Sequence, residues 1–117
     1  MQLFTTEIEQ QLQAQFKMGS SLEQKVICKI FNPYGAGTWY VMNQDPDDPD
    51  YLWGIADIWE PEMGSFSKKE LENLCINISG LEFNLERDLY WEPKIASHVW
   101  DELHGMDIKR GSTNSKE

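Results

Sequence analysis

Positive charge is scarce in this chain. Ten Lys and Arg stand against twenty Asp and Glu, for a formal charge of −10 over 117 residues. Binding to a phosphate backbone is driven by Lys and Arg releasing counterions, so direct nucleic-acid binding is disfavoured. Docking on an anionic membrane is disfavoured for the same electrostatic reason. Long apolar runs are missing too: no stretch approaches the ~18 consecutive apolar residues that a spanning helix needs. The segment Met1-Gln2-Leu3-Phe4-Thr5-Thr6-Glu7 lacks the basic region and apolar run of a secretory signal, which makes the cytoplasm the expected address. Cysteine is limited to Cys28 and Cys75, with no C-x-x-C pair, and both are expected there as reduced thiols. No glycine-rich phosphate loop, G-x-S-x-G elbow or H-E-x-x-H helix occurs.

What the chain does have is aromatic residues and clear periodicity. Five Trp, four Tyr and five Phe supply a core for one domain of this length without staples. Phe4, Ile8, Leu12 and Phe16 recur every four residues, and Thr6 with Glu9 fits a capping box, predicting a helix from about residue 6 to 17. Lys25–Phe31 is rich in β-branched residues and predicts a strand with Val26, Cys28 and Ile30 on one face. Thr38–Met42 and Tyr51–Trp59 predict two more, separated by the polar loop Asn43–Asp50. Ser67-Lys68-Lys69-Glu70 is a second capping box, opening a short helix that carries Leu71, Leu74 and Cys75. From Leu81 to Trp91 apolar and polar residues alternate, as in a half-buried strand. Pro93 is placed to begin a last helix lined by Ile95, Val99 and Leu103 and closed by Gly105. The expected fold is α+β: a mainly antiparallel sheet of about four strands, with N-terminal, short central and C-terminal helices on one face. One globular domain over 1–106 would precede a flexible polar tail, 107–117.

Arg87 breaks the alternation, because it falls on the apolar face with Leu81, Phe83, Leu85, Leu89 and Trp91. An unpaired charge there would be costly, so a carboxylate partner is expected among Glu60, Glu62 and Glu92. Arg87 is then either a latch for Glu60–Gly64 or a ligand contact. On the opposite face Glu86, Asp88 and Glu92 could serve as acid and base or hold a divalent ion, although such residues also line any half-exposed sheet. The acidic run Asp45, Asp47, Asp48, Asp50, Asp57, Glu60, Glu62 fails as an EF-hand: counted from Asp45, the sixth position is Asp50 and the twelfth Ala56. Cys28, Cys75, His98 and His104 lack zinc-ligand spacing. No metal, cofactor or catalytic residue is therefore assigned. Adjacent Trp39 and Tyr40 must face opposite ways on a strand, so at least one covers an outer face. Aromatics and arginine are favoured at interface hot spots. Arg87, Asp88, Tyr90, Trp91, Trp39, Tyr40 and Glu62 are accordingly the candidate binding residues.

Three blocks carry a resemblance: Gly37-Thr38-Trp39-Tyr40-Val41, Glu62-Met63-Gly64-Ser65-Phe66-Ser67-Lys68-Lys69-Glu70-Leu71, and Leu85-Glu86-Arg87-Asp88-Leu89-Tyr90-Trp91-Glu92-Pro93. In this order they resemble a family of small bacterial proteins catalogued as a domain of unknown function, over about Phe4 to Pro93. The resemblance implies a bacterial cytoplasmic accessory protein of mobile elements, found beside antirestriction and DNA-maintenance genes, and supplies no reaction or ligand. The leading expectation is a non-catalytic, acidic protein-binding module, with a basic nucleic-acid-handling protein as partner and DNA mimicry as its strongest form. The alternatives are a small metal-dependent enzyme using Glu86, Asp88 and Glu92, and a structural subunit of a larger complex.

Overall fold

Thr5, one residue ahead of the expected Thr6, starts the first helix: its hydroxyl accepts the Ile8 N–H at 3.2 Å. The computed structural model describes residues 1–112, with side chains as far as Gly105. Helix α1 (Thr6–Ala14) ends before residue 17, in a 3₁₀ turn at Phe16–Met18. The reason lies in Gln15, whose side chain bonds the Lys25 and Met42 carbonyls and the Lys25 N–H at 2.7–3.1 Å. Of the four-residue stripe, Phe4 and Leu12 are buried with Ile8 packed beside them, but Phe4 lies ahead of the helix and Phe16 is half-buried in the 3₁₀ turn.

The expected strand 25–31 breaks at Ile27 into β1 (Lys25–Val26) and β2 (Cys28–Phe31). The main sheet combines β2 with β3 (Thr38–Asp45), β4 (Asp48–Asp57), β5 (Pro61–Ser67) and β8 (Glu86–Arg87). These five strands are antiparallel, in the order β5-β4-β3-β2-β8. The sequence pattern assigns no strand to β5; as an edge strand it tolerates proline at its first position. The expected loop Asn43–Asp50 is mostly strand, turning only at Pro46-Asp47. Buried amides explain this. Gln44 donates to Glu9 at 2.8 Å and to the Pro49 carbonyl at 2.7 Å, and Lys68 closes on Glu9 at 2.8 Å. Asn43 donates to the Gly19 carbonyl and Gln24, both at 2.9 Å. A bulge at Met42 brings β4 so close that a Cβ on Gly54 would lie 2.0 Å from the Tyr40 carbonyl oxygen. Only glycine fits there.

The sheet is covered on both faces, not one. Trp39 and Val41 join Phe4, Leu12, Leu52, Leu71 and Leu85 in a first core. Tyr40 and Met42, pointing the other way, join Val26, Ile55, Ala96 and Val99 in a second. Both faces of β3 are thus apolar because both are buried. The break at Ile27 divides its strand between them: Val26 enters the second core, while Cys28 and Ile30 enter the first.

Helix α2 (Lys68–Asn73) starts as its capping box predicts, with Ser67 accepting the Glu70 N–H at 3.1 Å. It stops at Asn73, so only Leu71 reaches the core, and Cys75 lies exposed in a strand instead of on a helix face. That strand, β6 (Cys75–Ile78), pairs with β7 (Leu81–Asn84) across Ser79 and Gly80, whose φ values of 53° and 83° suit a tight hairpin. The alternation from Leu81 to Trp91 is therefore not one strand. Leu85 alone turns into the core between β7 and β8, while Leu81 and Leu89 stay exposed. β9 (Lys94–Ile95) pairs with β1 and leads into α3 (Ala96–Ser112). Pro93 precedes that helix without opening it, and Gly105 lies inside it. The first amides of α3 are met by the Gln24 and Leu22 carbonyls at 2.8 and 2.9 Å. Side chains of the expected tail, 107–117, lie outside the described residues.

Candidate functional site

β8 is only two residues long, but the turn beyond it is tightly held. The Asp88 N–H makes a last bond to the Lys29 carbonyl at 2.9 Å, and the Asp88 carboxylate accepts the Tyr90 N–H at 2.9 Å. Trp91 closes the turn through its N–H to the Asp88 carbonyl at 3.3 Å. Its indole N–H donates to the Val26 carbonyl at 3.0 Å, and its ring lies 5.8 Å from that of Tyr40. Lys29 and Lys94 bring their ammonium groups to 5.7 and 5.2 Å from the same ring, a cation–π arrangement. Lys29 also approaches Asp88 to 4.0 Å. The turn is fixed at both ends. Between them, Leu89 and Tyr90 are 65% and 94% exposed.

Arg87 has no carboxylate partner among the described residues. Its guanidinium donates to the Gln2 and Leu3 carbonyls at 2.6 and 2.7 Å, strapping the N-terminal segment across the first core. Glu60 and Glu62 cannot serve because β5 lies at the opposite edge, with three strands between. Glu92 lies beyond Trp91, past the end of the turn. The strap forms one wall of a cavity of about 460 Å³ that Glu72, Phe83 and Leu85 also line.

Of the other expected site residues, Tyr40 joins the Trp91 cluster, with its hydroxyl held protonated above the ordinary tyrosine range by burial and by the charges of Asp57 and Glu102. Trp39 does face the other way, but both aromatics are buried, because helices cover both sheet faces. Glu62 sits on the far edge. Glu86, Asp88 and Glu92 do not share one strand face, since the strand ends at Arg87 and Asp88 serves as the cap of the turn. Among the described residues no three metal-binding side chains converge. Burial pushes the Cys28 thiol up to about 12 despite nearby Arg87, so it is no nucleophile at neutral pH. Sequence reasoning missed Lys29, Lys94 and Leu89. No sequence signal marks the first, because Lys29 meets Tyr40 only through the register of β2 with β3.

The acidic run is not one patch. Asp45, Asp47 and Asp48 cluster at the β3–β4 turn, while Asp57, Glu60 and Glu62 lie at the other end of β4, ~30 Å away at 3.3 Å per residue. Asp50 between them is already engaged: it accepts the Lys69 N–H at 2.8 Å and the Ser67 hydroxyl at 2.9 Å, which hold its carboxyl below the ordinary range.

An antiparallel sheet clad by helices on both faces, with a rigid apolar turn at one edge, places this chain in the α+β class. It belongs to the family described as protein of unknown function, DUF2958, which it matches over residues 3–107. No curated protein and no solved structure matches it.

Proposed function

We propose that this protein is a non-catalytic binding module of bacterial mobile elements, acting in the cytoplasm, and that Leu89 and Tyr90 are its anchor for a protein partner. One observation carries the reading. The turn from Asp88 to Trp91 is locked at both ends, yet its two largest free side chains stand in water. Burying a large apolar side chain contributes about 1.5–3 kcal/mol, and a preordered turn loses little entropy on contact. Tyrosine is also among the residues favoured at hot spots. Exposed Glu86 and Glu92 flank the anchor and, with a chain charge of −10, suit a basic nucleic-acid-handling partner. The separation of the acidic run into two ends of β4 favours this anchor over mimicry of a continuous DNA backbone. The mobile-element setting rests on the sequence resemblance.

The test uses the whole chain as bait in bacterial lysate at low and high salt, beside a Leu89→Ala/Tyr90→Ala variant of unchanged circular dichroism. A basic partner retained by the parent, weakened by salt and lost with the variant is the expected result. Equal capture by both chains would sink the proposal.

A further inference from the structure

The two edges of the main sheet are treated differently. β8 closes one edge with two residues, a turn and the strap held by Arg87. β5 leaves the other edge open. Its seven residues run in unbroken register with β4, from Tyr51 opposite Ser67 to Asp57 opposite Pro61. Among the described residues no strand and no other backbone hydrogen bond meets its outer side. Soluble proteins blunt such edges with charged side chains, proline, bulges or short strands. In β5 such devices are confined to its first two positions, Pro61 and Glu62, and from Met63 to Ser67 there is none. We infer that β5 is a self-association edge, on which the β5 of a second copy of this chain pairs antiparallel about a two-fold axis at Gly64.

Self-complementarity selects a second copy over a foreign strand. With Gly64 opposite Gly64, Glu62 falls opposite Phe66 and Met63 opposite Ser65, so no carboxylate faces another. The hairpin turn of each chain, with exposed Glu60, then comes beside the start of α2 in the other, where Lys69 is exposed. Each two-fold contact of this kind is made twice. The same register covers Trp59 and Ile58, which are 92% and 43% exposed in the single chain. Gly64 leaves the axis unobstructed, because even a Cβ there would meet nothing within 4 Å. The product is one continuous sheet of about ten strands, within the range of open sheets. It leaves Leu89 and Tyr90, at the opposite edge, free.

Sedimentation velocity on the full chain across the micromolar range tests this. The expected species has about twice the 13.6 kDa chain mass. Gly64→Lys, for which the single chain has room, sets two ammonium groups face to face and yields the monomer with unchanged circular dichroism. Trp59→Ala, on an exposed side chain, weakens dimerisation by about tenfold or more. Gly64→Cys in a Cys75→Ser background cross-links the dimer under mild oxidation. Leu89→Ala/Tyr90→Ala remains dimeric, which separates this inference from the anchor reading. A parent chain that stays at 13.6 kDa overturns it. So does a dimer that survives both Gly64→Lys and Trp59→Ala, or one that forms without cross-linking through residue 64.

Discussion

Replacing Arg87 with methionine removes the strap without leaving a hole, because methionine keeps most of the aliphatic stem. The two bonds lost, at 2.6 and 2.7 Å, come from a charged donor to neutral carbonyls. Such bonds contribute about 1.5–3 kcal/mol each when buried. Arg87 is half-buried, so solvent screening brings the pair to about 2 kcal/mol together. The strap also holds Leu3 at 5% and Phe4 at 2% exposure. Fraying of Leu3 alone would forfeit about 1.5 kcal/mol more. The expected loss is therefore about 2–4 kcal/mol, survivable for a domain stable by about 5–15 kcal/mol. At a urea slope of ~1.5 kcal/mol/M, the unfolding midpoint falls by roughly 1–3 M. Amide exchange near Leu3 and Phe4 should accelerate more than exchange in β3. An unchanged midpoint would refute the strap, and intact stability with lost partner binding would make Arg87 a ligand contact instead.

The same geometry sets three more outcomes. Gly54→Ala drives a Cβ to 2.0 Å from the Tyr40 carbonyl oxygen and should cost about 3 kcal/mol or more by thermal melting, whereas Gly64→Ala should stay within ~1 kcal/mol. A thiol-reactive disulfide reagent should label Cys75 in the native chain and reach Cys28 only in denaturant, since Cys28 is buried with its thiol pushed up to about 12. Burial raises the Glu9 carboxyl, but the bonds from Lys68 and Gln44 and the Lys68 charge outweigh it and hold the group below the ordinary carboxylate range. Glu9 thus contributes stability present above the ordinary carboxylate range and lost as pH falls through the folded value. The melting-temperature gap between parent and Glu9→Gln should narrow as pH drops from ~6 to ~3; a constant gap would contradict the assignment.

Local signals are reliable where one short stretch decides the outcome. Ser67 and Glu70 mark the start of α2, and the spacing of Ile8 and Leu12 marks α1 because four residues return to the same side, although Phe4 lies ahead of that helix and Phe16 beyond it. Longer patterns mislead where a partner distant in sequence decides. Asn43 and Gln44 look like loop residues, yet Gln24, Glu9 and Pro49 satisfy their amides inside the sheet. The alternation from Leu81 to Trp91 holds over β7 and β8 but misses both the swing at Leu85 that takes β7 out of the main sheet and the turn from Asp88 to Trp91. Arg87 is visible as an exception; its partners, being backbone carbonyls, have no residue signature. Of the candidate site, Asp88, Tyr90 and Trp91 are legible as a group, while the lysines around Trp91 come from two other strands.

The central claim is that Leu89 and Tyr90 are a contact surface. Its most direct test is the affinity of the captured partner, measured by calorimetry for the parent, Leu89→Ala/Tyr90→Ala and Trp59→Ala chains at two salt concentrations. The expected result is a loss of about 100-fold or more in the double variant, little change in Trp59→Ala, and weaker binding of the parent at high salt. Unchanged affinity in the double variant, with its fold intact, would contradict the claim.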